Sequence, residues 1–136
     1  MKRLFVDTNI VLDLLADRKP FSHAARQLFS LADTQQVTLY VSALTIANTY
    51  YVLFHSLKQK DARAILQRWK TLVEVLSLDE KIVDLALASP FKDFEDGLQY
   101  YTAATHQVDA IITRNQADFK HAKLRVVSAE EYLLSF

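Results

Sequence analysis

The feature that most constrains the fold is an alternation. Short apolar runs recur at Leu4–Val6, Val37–Val41, Val73–Leu76, Ala110–Thr113 and Arg125–Val127, and the stretches between them carry apolar residues at helical spacing. Strands alternating with helices predict an α/β fold, a parallel sheet covered on both faces. Right-handed crossovers then bring the carboxyl ends of the strands to one edge. Ligands of open α/β sheets bind outside that edge. Helices are expected from Thr8 or Asn9, from Phe21 or Ser22 to about Asp33, and from Ser42 to about His55. Others are expected over Lys58 to Leu72, from Asp79 to about Ser89, from Phe94 to about His106, and after Ser128. Ser128 and Glu131 have capping-box spacing. No repeat or linker interrupts the pattern, so one domain over 1–136 is expected.

Several classes of function are excluded or left unsupported. The chain has 16 basic and 16 acidic residues, so its net charge argues for no particular partner, although separated patches are compatible with it. It lacks cysteine, which removes disulfides and thiolate metal sites. The single glycine, Gly97, leaves no material for a glycine-rich phosphate loop. No leader-like or membrane-length apolar run is present, and a cytoplasmic location is the expectation.

The apolar run Phe5-Val6 ends on Asp7, and a helical pattern follows at once from Thr8-Asn9-Ile10. An acid at a strand's carboxyl end is placed for metal binding or chemistry, or simply caps the next helix. Thr113-Arg114-Asn115-Gln116-Ala117-Asp118 leaves the fourth strand in the same way. Asp93 and Asp96 open the helix before it, and their spacing lets them share a face. Carboxylates gathered without cysteine or closely spaced histidine suit a hard cation, Mg2+ or Mn2+. Such a cation activates water and stabilises charge on phosphate oxygens. Helix-dipole and turn roles are the plainer reading of Asp93, Asp96 and Asp118. Asp13, Asp17 and Asp109 are expected to be solvated or capping, and the four histidines structural or superficial. Tyr50, Tyr51, Phe54, Tyr100 and Tyr101 are expected in the core or at a dimer surface. The basic residues from Lys58 to Lys70 are expected on a solvated helix face.

Taken together, these segments resemble a PIN domain. The matching pieces are Val6-Asp7-Thr8-Asn9, Ser42-Ala43-Leu44-Thr45-Ile46-Ala47-Asn48, Asp96 seven residues before Ala103, and Ile112-Thr113-Arg114-Asn115 with Asp118-Phe119. The size is similar to that of the VapC-type toxins of toxin–antitoxin pairs. The resemblance implies a three-layer α/β/α sandwich around a mostly parallel five-stranded sheet. It also implies an Mg2+- or Mn2+-dependent endoribonuclease that cleaves RNA by in-line attack of a metal-activated water. A homodimer and a small antitoxin partner are further implications.

The family's site normally holds four carboxylates. Asp7 matches the first and Asp96 the third. Asn48 stands at the second position and Asn115 at the fourth, so two charges are missing. Asp118 matches an acidic or amide position beside the site, and Asp93 is an additional acid. The resemblance thus gives Asp7, Asp96 and Asp118 as metal ligands, with Asn48 and Asn115 at catalytic positions and Asn9 and Thr113 orienting the carboxylates. Arg114 is placed to contact an RNA phosphate or to serve the surface. An Asn keeps shape and one acceptor oxygen but removes charge, so such a site holds a divalent ion less tightly. The alternative is a catalytically weakened or silent PIN domain that binds RNA or protein. A phosphoryl-accepting Asp7, on the haloacid dehalogenase pattern, would call for a second Asp at position 9, where Asn9 stands.

Overall fold

The computed structural model describes residues 1–136. The first apolar run forms strand β1 (Lys2–Val6), and helix α1 (Thr8–Leu15) starts one residue later. Helix α2 (Ser22–Asp33), strand β2 (Val37–Ser42) and helices α3 (Ala43–Tyr51) and α4 (Ala62–Trp69) follow. Strand β3 (Glu74–Leu76), helices α5 (Glu80–Leu87) and α6 (Phe94–Thr105), strands β4 (Ala110–Ile112) and β5 (Arg125–Val127) and helix α7 (Ala129–Ser135) complete the chain. The sheet runs β3-β2-β1-β4-β5 with every pairing parallel. At its centre Leu4 of β1 lies between Leu39 of β2 and Ala110 of β4.

Side chains alternate across a strand, and that decides what each face buries. Leu4, Val6, Leu39, Val41 and Ile112 pack against Leu28 and Phe29 of α2, Trp69 of α4 and Tyr132 of α7. Phe5, Tyr40 and Ile111 point the other way, toward Tyr100 and Ala103 of α6 and toward Phe91 and Phe119. Helices therefore cover both faces, giving the expected three-layer sandwich. A third small core of Ile82, Ala86 and Leu98 fastens α5 to α6. Gly97 permits their approach: a Cβ there would lie 3.3 Å from Ser89 Oγ and 3.4 Å from Ala86 Cβ.

Capping fixes where the helices begin. Asp7, Ser42, Asp79, Asp93 and Ser128 each accept a first-turn backbone N–H, an interaction typically worth about 1 kcal/mol. Ser128 and Glu131 form the expected capping box. Two helices differ from expectation. The one expected to reach His55 is α-helical only to Tyr51, and Val52–Ser56 widens into a π turn. The helix expected from Lys58 starts at Ala62 and tightens into a 3-10 turn over Lys70–Leu72. Lys58 has a positive φ of 58°, which an L-residue helix cannot propagate. The basic residues there are exposed. Solvated side chains fit a turn as well as a helix, so their pattern could not show the break.

Candidate active site

Four segments meet at the carboxyl edge of the sheet. The end of β1 carries Asp7, α3 carries Asn48, the first turn of α6 carries Glu95 and Asp96, and the segment after β4 carries Thr113, Asn115 and Asp118. Asp7 is only 7% exposed. Its Oδ2 accepts from Thr113 Oγ1 at 2.8 Å and from Asn9 Nδ2 at 3.4 Å, and its Oδ1 accepts from the Thr8 N–H at 2.8 Å. Thr113 Oγ1 also accepts from Asn9 Nδ2 at 3.4 Å and from the Asn115 N–H at 3.0 Å. One threonine hydroxyl thereby ties β4 to β1 across 106 residues of sequence.

Burial raises the pKa of Asp7, the Asp118 charge adds to the rise, and the Thr113, Thr8 and Gln99 hydrogen bonds offset it. Asp96 is pushed up to about 7, by burial first and then by Asp93, Asp7, Asp118 and Glu95. Glu95 is raised by burial, Asp93 and Asp7, with an opposing contribution from Asn48. These carboxylates feel one another's charge, and no cation is bonded to any of them. An all-oxygen, mutually repelling donor set is the chemistry of a hard-cation site.

Residues 3–117 match the PIN domain family. The chain belongs to that family. It is similar to Ribonuclease VapC1 of Aquifex aeolicus (strain VF5), at 25% identity over 96% of this chain and 93% of the relative. Among solved structures it resembles the DNA-bound VapBC of Salmonella typhimurium, with a TM-score of 0.71 and 19% identity over 95% of this chain and 99% of that one. It also resembles a toxin–antitoxin complex from Klebsiella pneumoniae, with a TM-score of 0.69 and 22% identity over 93% and 97%.

Within this PIN domain, the positions singled out in the sequence fall unequally. Asp7, Asn9 and Thr113 form one bonded unit, while Asp96 and Asp118 face it through charge. Asp93 caps α6, accepting the Glu95 N–H at 2.9 Å, and adds to the field on Asp96. Asn115 is exposed and its N–H is held by Thr113. Asn48 Nδ2 donates to Glu95 Oε1 at 3.1 Å, so a carboxylate from α6 stands beside the position where the sequence lacks one.

Glu95 and Gln99 are the residues that sequence reasoning did not single out. Gln99 is 1% exposed; its amide donates to Thr45 Oγ1 at 2.8 Å and Thr8 Oγ1 at 3.2 Å, and its Oε1 accepts from Ser42 Oγ. Thr8 and Thr45 also share a hydrogen bond at 2.9 Å. This network links the first turns of α1 and α3 to the second turn of α6, the helices that carry or adjoin Asp7, Asn48 and Asp96. A detectable signal was present. Gln99 stands three residues after Asp96, on the same helix face, in an otherwise small and apolar stretch.

Asp13 corrects one expectation, and Arg114 is its partner. Asp13, expected to be solvated, is 1% exposed, and both its oxygens accept from Arg114, Nε at 2.8 Å and Nη2 at 3.0 Å. Arg114 also lies over Phe21, 4.0 Å from the ring centroid. Its guanidinium is therefore engaged in fixing the chain after β4 to α1. Asp13 follows Ile10 by three residues and shares its buried face, which explains the burial. Asp17 pairs with Arg26 at 3.0 Å and Asp109 accepts the Arg3 N–H at 2.8 Å, both as expected of surface or capping acids.

Proposed function

We propose that this chain is a divalent-metal-dependent endoribonuclease acting as the toxin of a toxin–antitoxin pair. The observation that carries the reading is the electrostatic state of Asp7 and Asp96. One is buried among neutral donors and the other is raised to about 7, by burial first and then by its acidic neighbours. Both are short of positive charge. The similarity to Ribonuclease VapC1 supports RNA as the substrate, and the similarity to a toxin–antitoxin complex supports a protein partner.

The residues fit Mg2+ or Mn2+. Asp7, Asp96 and Asp118 would hold the ion, with Glu95 and Asp93 adding charge. Those three do not stand close enough together to form a ready-made ligand group, so an ion there would draw on one or two of them at a time, with waters completing its shell. When bound, the ion supplies a more acidic water and neutralises charge developing on the phosphate. Thr113, Asn9 and the Thr8 N–H hold the Asp7 carboxylate in one orientation. Gln99 sets the spacing of the three helices around it. Glu95, held by Asn48, supplies charge that Asn48 itself lacks. Dimerisation, which the resemblance implies, would have exposed Tyr51, Phe54 and Leu57 to draw on.

The decisive experiment is cleavage of a mixed RNA pool with EDTA, Mg2+ or Mn2+, beside Asp7→Asn and Asp96→Asn variants. Metal-dependent cleavage lost in both variants is expected. The competing reading, a silent binding module, draws on Asn48 and Asn115; RNA left intact at high Mn2+ would favour it.

A further inference from the structure

The ion pair between Asp13 and Arg114 is sealed on all sides. Asp13 is buried, Arg114 meets both its oxygens, and the Phe21 ring covers the guanidinium. Stability alone gives little reason for such a pair, since well-packed apolar side chains of similar volume serve a core as well or better. What the pair does supply is geometry, because a planar fork meets a carboxylate in one orientation. Fixing register is the best-attested use of a buried pair.

The register at stake belongs to the segment after β4. Asn9 and Asp13 lie one turn apart on the same face of α1 and together hold residue 114. Asn9 Oδ1 accepts the Arg114 N–H at 3.5 Å, while Asp13 accepts the side chain at 2.8 and 3.0 Å. Asn9 also donates to Asp7 Oδ2 and to Thr113 Oγ1, each at 3.4 Å. Hydrogen bonds that long are weak, so Asn9 holds the segment loosely. The short contacts from α1 to this segment are those of Arg114. One residue on, the Asn115 carbonyl accepts the Asp118 N–H at 3.0 Å, within the 3-10 turn of Gln116–Phe119. Arg114 therefore stands at the root of the turn that carries Asp118, whose charge reaches both Asp7 and Asp96.

We propose that Arg114, anchored by Asp13, is a positioning residue for the ion site. It sets where the turn after β4 begins, and so the distance of Asp118, direct or through water, from an ion at Asp7 and Asp96. Arg114 acts through the backbone and touches neither the ion nor RNA. The inference rests on the nuclease reading for the presence of the ion, and gives a part in holding it to two residues 101 positions apart.

The test compares the full-length chain with two variants, Asp13→Leu combined with Arg114→Met, and Arg114→Lys alone. Urea denaturation, Mn2+ binding followed by electron paramagnetic resonance, and the amide NMR signals of metal-free Asn115 and Asp118 are measured without RNA. The double variant replaces the pair with apolar bulk, so its urea midpoint should stay close to that of the unsubstituted chain. Its Mn2+ affinity should still fall about tenfold to a hundredfold, the usual effect of removing a group that orients metal ligands. The two amide signals should move with it. Arg114→Lys keeps a cation beside Asp13 but loses the fork. It should lose Mn2+ affinity roughly tenfold, which separates positioning from charge compensation, and it carries the test if the double variant does not fold. Unchanged Mn2+ affinity in a folded variant would overturn the proposal, and so would an unsubstituted chain that binds no Mn2+. An Arg114 that contacts a phosphate gives the first of these results, its loss being confined to RNA binding. Cleavage by the unsubstituted chain is scored separately. Cleavage with Mn2+ affinity indifferent to both variants rejects the positioning role alone, whereas the expected affinity losses in a chain that never cleaves reject the nuclease reading alone.

Discussion

Asp7 and Asp13 bracket the first turns of α1, and both are nearly sealed from water, at 7% and 1% exposure. They are compensated in opposite ways. Asp13 meets a guanidinium with both oxygens, and the pair is closed in charge and geometry. Asp7 meets a hydroxyl, a peptide N–H and an amide, none of them charged. Those donors orient it and offset part of its desolvation, but its negative charge remains uncancelled and faces Asp96 and Asp118. Burial does not separate a structural carboxylate from a functional one. The charge of its partner does.

The strongest way to break this comparison is Asp7→Asn. Cleavage is expected to fall by about two to three orders of magnitude, the kinetic equivalent of several kcal/mol of lost metal assistance. The metal-free fold should be at least as stable as before, because a buried uncancelled charge has gone. Turnover and melting measured on the same sample check both halves, and retained turnover would remove Asp7 from the site. Asp13→Ala should behave in the opposite sense. It strands Arg114, costing about 3 kcal/mol in urea denaturation, while Asp13→Leu combined with Arg114→Met should recover most of that loss. An unchanged urea midpoint in the single variant would show that the pair contributes nothing.

Gln99→Leu sharpens the functional side. Removing its amide leaves Ser42, Thr8 and Thr45 short of partners, for about 1–3 kcal/mol of stability. It should also raise the Mg2+ concentration needed for half-maximal cleavage; a stability loss without that metal effect would make Gln99 purely structural. Glu95→Gln should weaken Mg2+ dependence about two- to fivefold, the weight of one exposed charge interaction. Adding Asn48→Glu to it should restore the dependence, since the carboxylate then returns from the other helix. If the double variant is no better than the single, Glu95 does not stand in for charge at position 48.

The smallest effect is in pH. Between about pH 4 and pH 7, Asp96 holds a proton in the folded chain that it gives up when unfolded, since its pKa moves from 3.8 to about 7. The stability it contributes is complete below the unfolded value and lost as pH rises through about 7. Asp7 shifts in the same direction. Melting of metal-free protein should therefore drop between about pH 4 and pH 7, with added Mg2+ restoring more at the higher pH. A Mg2+ increment independent of pH would argue against ion binding at these groups.

The layer order and Asp7 were legible because they depend on local patterns: a β-branched run, a carboxylate at its end, a helix start. Ser128 and Asp79 announced their helices for the same reason. Tertiary pairing was not legible. The bond from Asn48 to Glu95 joins two helices whose relative rotation no periodicity reveals, and Asp13 read as a solvent residue until Arg114 was found opposite it.

The central place of β1 has a consequence for the timing of synthesis. The N-terminal strand needs β4 as its second neighbour, and the Asp7 N–H bonds to the Ile112 carbonyl at 3.0 Å beside the Thr113 hydroxyl. While the ribosome is still making the middle of the chain, Asp7 has neither its orienting hydroxyl nor Asp96 and Asp118 opposite. The site is thus unarmed until β4 and the segment after it have emerged. For a chain whose proposed target is RNA, the cutting edge is assembled only after the segments that carry Asp96, Thr113 and Asp118 have been made.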